Sequence, residues 1–303
     1  MTIVPSLLLQ AAAAAAGGQR FAAGALYVVA TPIGNLADMT LRAIHLLGLV
    51  DAVACEDTRV TGRLLHHLGL DKPLITLHQH NEHAAAQQVI ARLAAGERVA
   101  YASDAGTPAV SDPGAALVAA VVMAGHRVVP IPGASSVVTA LCVAGDAQAE
   151  GFAFRGFLPA KGQERQGALD ELLVAPGSQV LFEAPHRIQK LLEALATAAP
   201  ARRLTICREL TKQFEDVHTL AAADAPAWLA ADAQRERGEF VLVLHASPRS
   251  EATDADAVGA EAERVLVPLL RALPLKQAVA LAAEISGAPR NALYTRALEL
   301  RED

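Results

Sequence analysis

The chain has 303 residues, 52% of them hydrophobic, and a formal net charge of −6. That length and apolar content suffice for two compact domains and a small third one and exclude intrinsic disorder. The negative charge excludes binding a polyanion except through local clusters of cations, and no run of about eighteen apolar residues away from the N-terminus proposes a membrane span.

Residues 1–24 begin without Lys or Arg in the first ten positions, so the basic n-region of a secretory signal is missing. The Ala-rich stretch at 11–16 is short and runs into Gly17, Gly18, Gln19 and Arg20, and the segment reads as a loose tail. Cys55, Cys142 and Cys207 stand far apart inside apolar segments. They are expected to be reduced core thiols rather than disulfides or metal ligands, which fits a cytoplasmic protein.

Across 25–147, apolar runs alternate with helical patterns: LYVVAT, TLRAIHLLGLV, AVACE, RVAYAS and RVVPIP among them. This alternation predicts an α/β domain with parallel strands and crossover helices. Each run ends in a polar or Gly-Pro segment, TPIGNLADMT, CEDTR, HQHNEH, SDAGTPAVSDPG or PGASS. With parallel strands these loops gather at the carboxyl edge of the sheet, where α/β proteins bind ligands.

The richest loop is YASDAGTPAVSDPG, residues 101–114. Gly106 and Gly114 permit backbone angles and close approaches that a Cβ forbids, and Pro108 and Pro113 fix φ and remove donors. It reads as a ligand-wrapping loop, with a plain connector as the alternative; Asp112 is placed to cap a helix starting at Pro113. The first loop, Thr31 to Asn35, lacks both the three glycines of a dinucleotide fingerprint and a P-loop lysine. PGASS offers the Ser135 and Ser136 hydroxyls at a helix start, as ligand contacts or as caps. CEDTR sets Glu56, Asp57 and Arg59 at one strand end, either paired with each other or facing a polar cleft. HQHNEH, with His78, Asn81 and Glu82, has no Cys and the His spacing of a strand; Asn81 capping the next helix is simpler than a metal site.

Residues 148–246 bring strands in closer succession, predicting a second α/β domain with a mixed sheet. Its strand ends EAPHR and CRELTKQFE close the other wall of a cleft. Residues 247–258 are small, polar and acidic, and read as a linker. Residues 259–303 form a small helical region in which Pro274 starts one helix, Gly287 ends it, and 288–300 form a second: a helix-turn-helix, or else a helical cap or dimer contact. Cations concentrate at Arg202, Arg203, Arg208 and Lys212, and again at Arg264, Arg271, Lys276, Arg290, Arg296 and Arg301. These are solvated faces or an RNA-binding surface.

Taken together, VATPIGNLADMTLRA, ACEDTR, HQHNE, SDAGTPAVSDPG, PGASS, FEAPHR, RELTK and GEFVLVL resemble, in order and over 26–246, the tetrapyrrole-methylase superfamily of class III S-adenosylmethionine methyltransferases. The resemblance implies a tetrapyrrole-methylase-like two-domain α/β fold, a homodimer, and the methyl donor S-adenosylmethionine in the interdomain cleft, with no metal. It further implies donor contacts at Pro32, Ala105, Gly106, Thr107, Val110, Ser135, Ser136, Glu183 and Leu210. Tetrapyrrole members carry Gly-Pro-Gly-Asp and Gly-Asp-Pro where this chain has Pro-Ile-Gly-Asn and Gly-Thr-Pro, which points to the ribosomal RNA branch. The implied activity is 2′-O-methylation of a cytidine in the decoding region of 16S rRNA. The alternatives are a precorrin-type C-methyltransferase and a non-catalytic ribosome-assembly protein that binds RNA. The remaining edge of the cleft is then left to the acceptor, with Glu56, Asp57, Arg59, His78, Asn81 and Glu82 as the expected substrate-side set. His186, Glu209 and Lys212 are further candidates for the base.

Overall fold

The computed structural model describes residues 5–78, 81–109, 114–247 and 260–302. Through the first sheet the order is α1 (Pro5–Ala16), β1 (Ala25–Val29), α2 (Leu41–Leu49), β2 (Ala52–Cys55), α3 (Thr58–His67), β3 (Leu74–Thr76), α4 (Glu82–Ala94), β4 (Val99–Ala102), α5 (Ala115–Met123), β5 (Arg127–Ile131) and α6 (Ser136–Ala144). The five strands are all parallel, as the alternating pattern predicts, and lie in the order β3-β2-β4-β1-β5. Pro130 is tolerated in β5 because that strand is an edge.

Side-chain alternation sorts the strands between two cores. Tyr27, Val29, Val53, Ala100 and Ala102 pack under α2 and α3, whereas Leu26, Ala52, Ala54, Val99 and Tyr101 pack under α4 and α5. Both faces are therefore covered, which is why these strands read as nearly continuous apolar runs.

The N-terminus departs from the loose-tail reading. Pro5–Ala16 is helical, and Ala12 and Ala16, four positions apart on one face, are fully buried. Alanine has the highest helix propensity, and its small side chain lets α1 pack closely against α2.

The second sheet contains β6 (Phe152–Phe157), α7 (Gly162–Val174), β7 (Ser178–Glu183), α8 (Pro185–Ala198), β8 (Arg203–Arg208), β9 (Asp216–Ala221), α9 (Ala225–Ala230) and β10 (Phe240–Leu244). Its order is β6-β7-β10-β8-β9, with β6 parallel to β7 and the other pairs antiparallel, the expected mixed sheet. One face packs on α7, α8 and α9. The other, through Val180, Cys207, Val241 and Val243, packs on Val137, Ala140 and Ala144 of α6. Thus α6 follows the first sheet in sequence but covers the second, and Met1–Ser247 forms a single compact unit.

Cys55 and Cys207 are buried, but Cys142 is exposed on α6, contrary to the expectation of a core thiol. Helix periodicity explains it: Ala140 and Ala144 take the inward positions of α6.

Pro248–Asp303 forms a second unit. The stretch read as a linker lies outside the described residues beyond Ser247. The tail has three helices rather than two: α10 (Ala260–Ala272), α11 (Leu275–Ser286) and α12 (Arg290–Glu302). Pro274 precedes α11, and Gly287 ends it with a left-handed backbone, φ 70°. Leu266, Val279, Ala282, Leu293 and Ala297 form this unit's own core.

Candidate active site

The loops after β1 and β4, the two neighbouring central strands, are joined by a short antiparallel bridge. Thr31 N donates to Gly106 O at 2.9 Å and Gly106 N to Thr31 O at 3.1 Å. Thr31 Oγ1 donates to Ser103 O at 3.1 Å and Ser103 Oγ to Gly106 O at 3.2 Å. Ser103 therefore braces the loop from inside. Gly106 has φ 85°, a conformation costly for any residue with a Cβ. Thr107 Oγ1 donates to Ala134 O at 3.0 Å, tying this loop to the PGASS turn.

A cavity of about 370 Å³ opens where these loops meet the second sheet. Ile33, Ala105 and Ser136 line it from one side, and Phe157, Phe182, Glu183, Leu210 and Phe240 from the other. Phe182 meets Phe154 and Phe157 edge-on, with centroids 4.9 and 5.6 Å away, so the apolar wall is a cluster of three aromatic rings.

Glu183 and Glu239 are the wall's charged residues, and the Glu183 side chain is wholly buried. Arg187 Nε lies 3.0 Å from Oε1 and Arg165 Nη1 lies 3.8 Å from Oε2. Ala184 N donates to Oε1 at 3.0 Å. Two guanidinium groups offset the desolvation of the carboxylate. Oε2 nevertheless has no hydrogen-bond donor within the protein.

Leu210 sits between two non-glycine residues with left-handed backbones, Glu209 at φ 52° and Thr211 at φ 67°. The strain delivers Leu210 into the core beside the cavity and brings Leu210 O and Lys212 against Gly34, where a Cβ would stand 2.5 Å from Lys212 Cγ. Lys212 Nζ donates to Glu209 Oε1 at 2.9 Å and Glu239 Oε2 at 3.0 Å, and Glu239 N donates to Glu209 Oε1 at 2.9 Å. Burial pushes the Glu209 carboxyl up, but these donors outweigh it and leave the group below its ordinary value.

Of the expected donor contacts, Ala105, Ser136, Glu183 and Leu210 line this cavity. Gly106 and Thr107 shape the loop behind it. Ser135 precedes α6 with an extended backbone and makes no side-chain cap. Pro32 faces a different, adjoining cavity, and Val110, like Asp112 and Pro113, lies outside the described residues. Ile33, Phe157, Phe182 and Phe240 line the cavity without being among the expected contacts, although FEAPHR and GEFVLVL contain two of them; nothing in their apolar character separates a cavity wall from a core position.

None of the six expected substrate-side residues lines either of these two cavities. Asp57 caps α3 through Arg59 N at 2.8 Å and pairs with the Arg59 guanidinium, Nη2–Oδ2 2.6 Å. The Arg59 hydrogen bonds hold its carboxyl down to about 2. Internal pairing thus accounts for both residues. Asp57 N in turn donates to Asp104 Oδ1 at 3.0 Å, joining the β2 and β4 loops. Glu56 is half-buried beside them. Asn81 does not cap α4 with its side chain; it reaches backwards, accepting from His78 N at 2.8 Å and donating to Thr76 O at 2.9 Å. With Glu82 at the start of α4, His78 and Asn81 follow β3, the edge strand farthest from β1. Among the described residues no group of three or more His, Cys, Asp or Glu is arranged to hold a metal.

The expected cationic surface is also reduced. Arg202 is buried and donates to the carbonyls of His245, Leu173 and Ala175 at 2.7, 3.0 and 3.1 Å. Arg208 is engaged by backbone carbonyls of Phe214 and Arg237, and Arg296 by Glu263 and Glu299. Burial removes Arg202 as a phosphate contact, and the partners of Arg208 and Arg296 compete with one.

A parallel sheet joined to a mixed sheet, with a cavity built from the strand-end loops of both, defines a methyltransferase of the tetrapyrrole-methylase kind. The model of the Tetrapyrrole (Corrin/Porphyrin) Methylases matches residues 25–226, and that of the RsmI C-terminal HTH domain matches 256–301. The Ribosomal RNA small subunit methyltransferase I of Escherichia coli O157:H7 is 44% identical over 277 residues, 91% of this chain and 95% of that one. The protein of the same name from Pseudomonas aeruginosa is 46% identical over 283 residues, 91% of this chain and 98% of that one. Among solved structures, the uroporphyrin-III C-methyltransferase of Thermus thermophilus complexed with S-adenosylhomocysteine has a TM-score of 0.51 at 18% identity, over 72% of this chain and 96% of that one; it speaks for the fold. The chain therefore belongs to the tetrapyrrole methylases, in the ribosomal RNA small subunit methyltransferase I family.

Proposed function

We propose that the protein methylates the 2′-oxygen of a cytidine ribose in the decoding region of 16S rRNA, using S-adenosylmethionine bound in the cavity between the two sheets. The observation that carries the donor site is Glu183. It stands in the cavity wall with its carboxylate wholly buried between Arg187 and Arg165, and its Oε2 has no hydrogen-bond donor within the protein. Apolar walls of Ile33, Phe182 and Leu210 suit an adenosyl group, and a volume of about 370 Å³ lies within the range of small-molecule sites. The names of relatives at 44% and 46% identity support ribosomal RNA as the substrate.

The bound donor supplies an electrophilic methyl group. The chain's own contribution is to hold donor and acceptor in line and to exclude water. Such alignment supplies on the order of 7 to 11 kcal/mol, whereas a general base supplies about 10²- to 10⁴-fold, roughly 3 to 5 kcal/mol. Positioning therefore dominates. The hydroxyl's proton leaves to a carboxylate, an imidazole or water; of the candidate bases, His186 and Glu209 each adjoin a cavity-lining residue, Pro185 and Leu210. No described helix is long and apolar enough to cross a membrane; a cytoplasmic homodimer acting on the small ribosomal subunit completes the reading.

Incubation with labelled donor and either 30S particles or a precorrin, followed by product mapping, tests it. Ribose methylation protects the adjacent phosphodiester from alkali, so an alkali-resistant labelled dinucleotide containing cytidine is expected. Labelled 30S RNA without that resistance would sink the 2′-O assignment, and label in the precorrin would establish the tetrapyrrole alternative. No transfer to either, with retained RNA binding, would establish a non-catalytic assembly protein.

A further inference from the structure

The bridge between Thr31 and Gly106 is a partition with a cavity on each side. Ile33 and Ala105 face the donor cavity, while their neighbours Thr31, Pro32, Ser103 and Asp104 face a second cavity of about 220 Å³. Two short segments, 31–33 and 103–105, thus serve both cavities. The far wall of the second one is α3. Val60 and Leu64 with Pro32 and Leu36 make it apolar, Asp104 contributes a carboxylate, and Arg63 a guanidinium at an exposed position.

We propose that this second cavity receives the acceptor nucleotide: its base enters, Asp104 accepts a hydrogen bond from the exocyclic amino group of cytosine, and Arg63 contacts a neighbouring phosphate. The inference rests on the proposed ribose methylation and supplies its specificity. An unstacked pyrimidine needs a small pocket with apolar faces for its ring and one polar group for its edge. A carboxylate is the group that selects cytosine, whose N4 amine donates where uracil O4 accepts. Asp104 is held for this by Asp57 N, which donates to Oδ1 at 3.0 Å. Arg63 is tied only loosely, its Nε reaching Arg59 O at 3.3 Å. Because consecutive residues of the same two loops line both cavities, a base anchored here leaves its ribose beside the donor side.

The test uses the full chain and 30S particles reconstituted with either cytidine or uridine at the methylated position. Wild type is expected to prefer cytidine by on the order of tenfold or more in kcat/KM. Asp104→Asn keeps an oxygen for Asp57 N but adds a donor, so the cytidine rate is expected to fall about tenfold and the preference to approach or pass unity. Arg63→Ala is expected to raise KM equally on both particles and lower the salt slope of 30S binding by about one, with S-adenosylhomocysteine binding unchanged. Leu36→Trp, at the exposed rim, is expected to abolish transfer while sparing that binding. An Asp104→Asn enzyme that keeps the wild-type preference, or a full-rate Leu36→Trp enzyme, would overturn the assignment. If wild type itself leaves no alkali-resistant mark on cytidine particles, the proposed activity fails, and this site with it.

Discussion

Thr31 and Gly106 lie on adjacent strand-end loops yet exchange both of their backbone hydrogen bonds, 2.9 and 3.1 Å, so two flexible-looking segments become one small rigid wall. A loop that must hold a methyl donor in line gains from this, because every degree of freedom removed beforehand is one the bound complex does not have to lose.

Gly106 is the conformationally demanding point of that wall. At φ 85°, alanine is disfavoured by roughly 1 to 2 kcal/mol, and its methyl would stand 3.3 Å from Ile33 Cγ2. Gly106→Ala is expected to lower the melting temperature by a few degrees and weaken S-adenosylhomocysteine binding by about tenfold. Thermal melts with and without ligand, together with titration calorimetry, measure both. An unchanged affinity would separate the bridge from donor binding.

Thr211 is strained in the opposite sense. A β-branched residue at φ 67° costs about 1 to 3 kcal/mol, and its buried Oγ1 lacks a hydrogen-bond partner. Glycine removes the strain at an entropic cost of about 0.5 to 1 kcal/mol. Thr211→Gly is thus expected to raise stability by about 1 kcal/mol while weakening donor binding, since Leu210 loses its fixed position. Urea denaturation and the same titration read the two effects; a less stable variant would show that the backbone is not strained.

Arg202 stabilises the second sheet rather than meeting RNA. Arg202→Met leaves several buried carbonyls without donors and is expected to cost at least about 3 kcal/mol in urea unfolding. The effect on RNA affinity should follow the fraction folded. A fully stable variant with a reduced salt slope would return Arg202 to the RNA surface.

His245 and Asp146 set the response to acid. Burial pushes the His245 imidazole below its ordinary value, only partly offset by Asp146. Burial also pushes the Asp146 carboxyl up, but Ser178 Oγ and Ala246 N, both donating at 2.6 Å, bring it net below the ordinary carboxylate value. In both cases the unfolded chain binds protons more readily than the folded one. The histidine contribution is complete above about pH 6.5 and is lost as pH falls through the lower folded value; the carboxylate contribution is lost further down, below about pH 4. Melting temperature should fall on acidification from neutrality, and His245→Gln, able to keep a contact to Thr205, should remove the earlier part of the decline. A flat profile between pH 7 and 5 would contradict this.

Local pattern was enough for much of this architecture. Apolar runs broken by Gly-Pro loops at 30–35, 103–108 and 132–136 imply parallel strands with their loops on one edge, because hydrophobic period and turn chemistry act over a few residues. The order of the motifs identified the family for the same reason: each is a short backbone requirement written in Gly, Pro and small polar residues. Three-dimensional packing settled the rest. That α6 would leave its own sheet to cover the second one, that Ala12 and Ala16 would bury an apparent tail, and that Arg202 would turn inward all depend on which face meets which partner. The division of Pro32 from Ile33, and of Asp104 from Ala105, between two cavities is of the same kind. It follows from a bridge between residues 31 and 106, and a contact across that much chain leaves no mark on the pattern at either end.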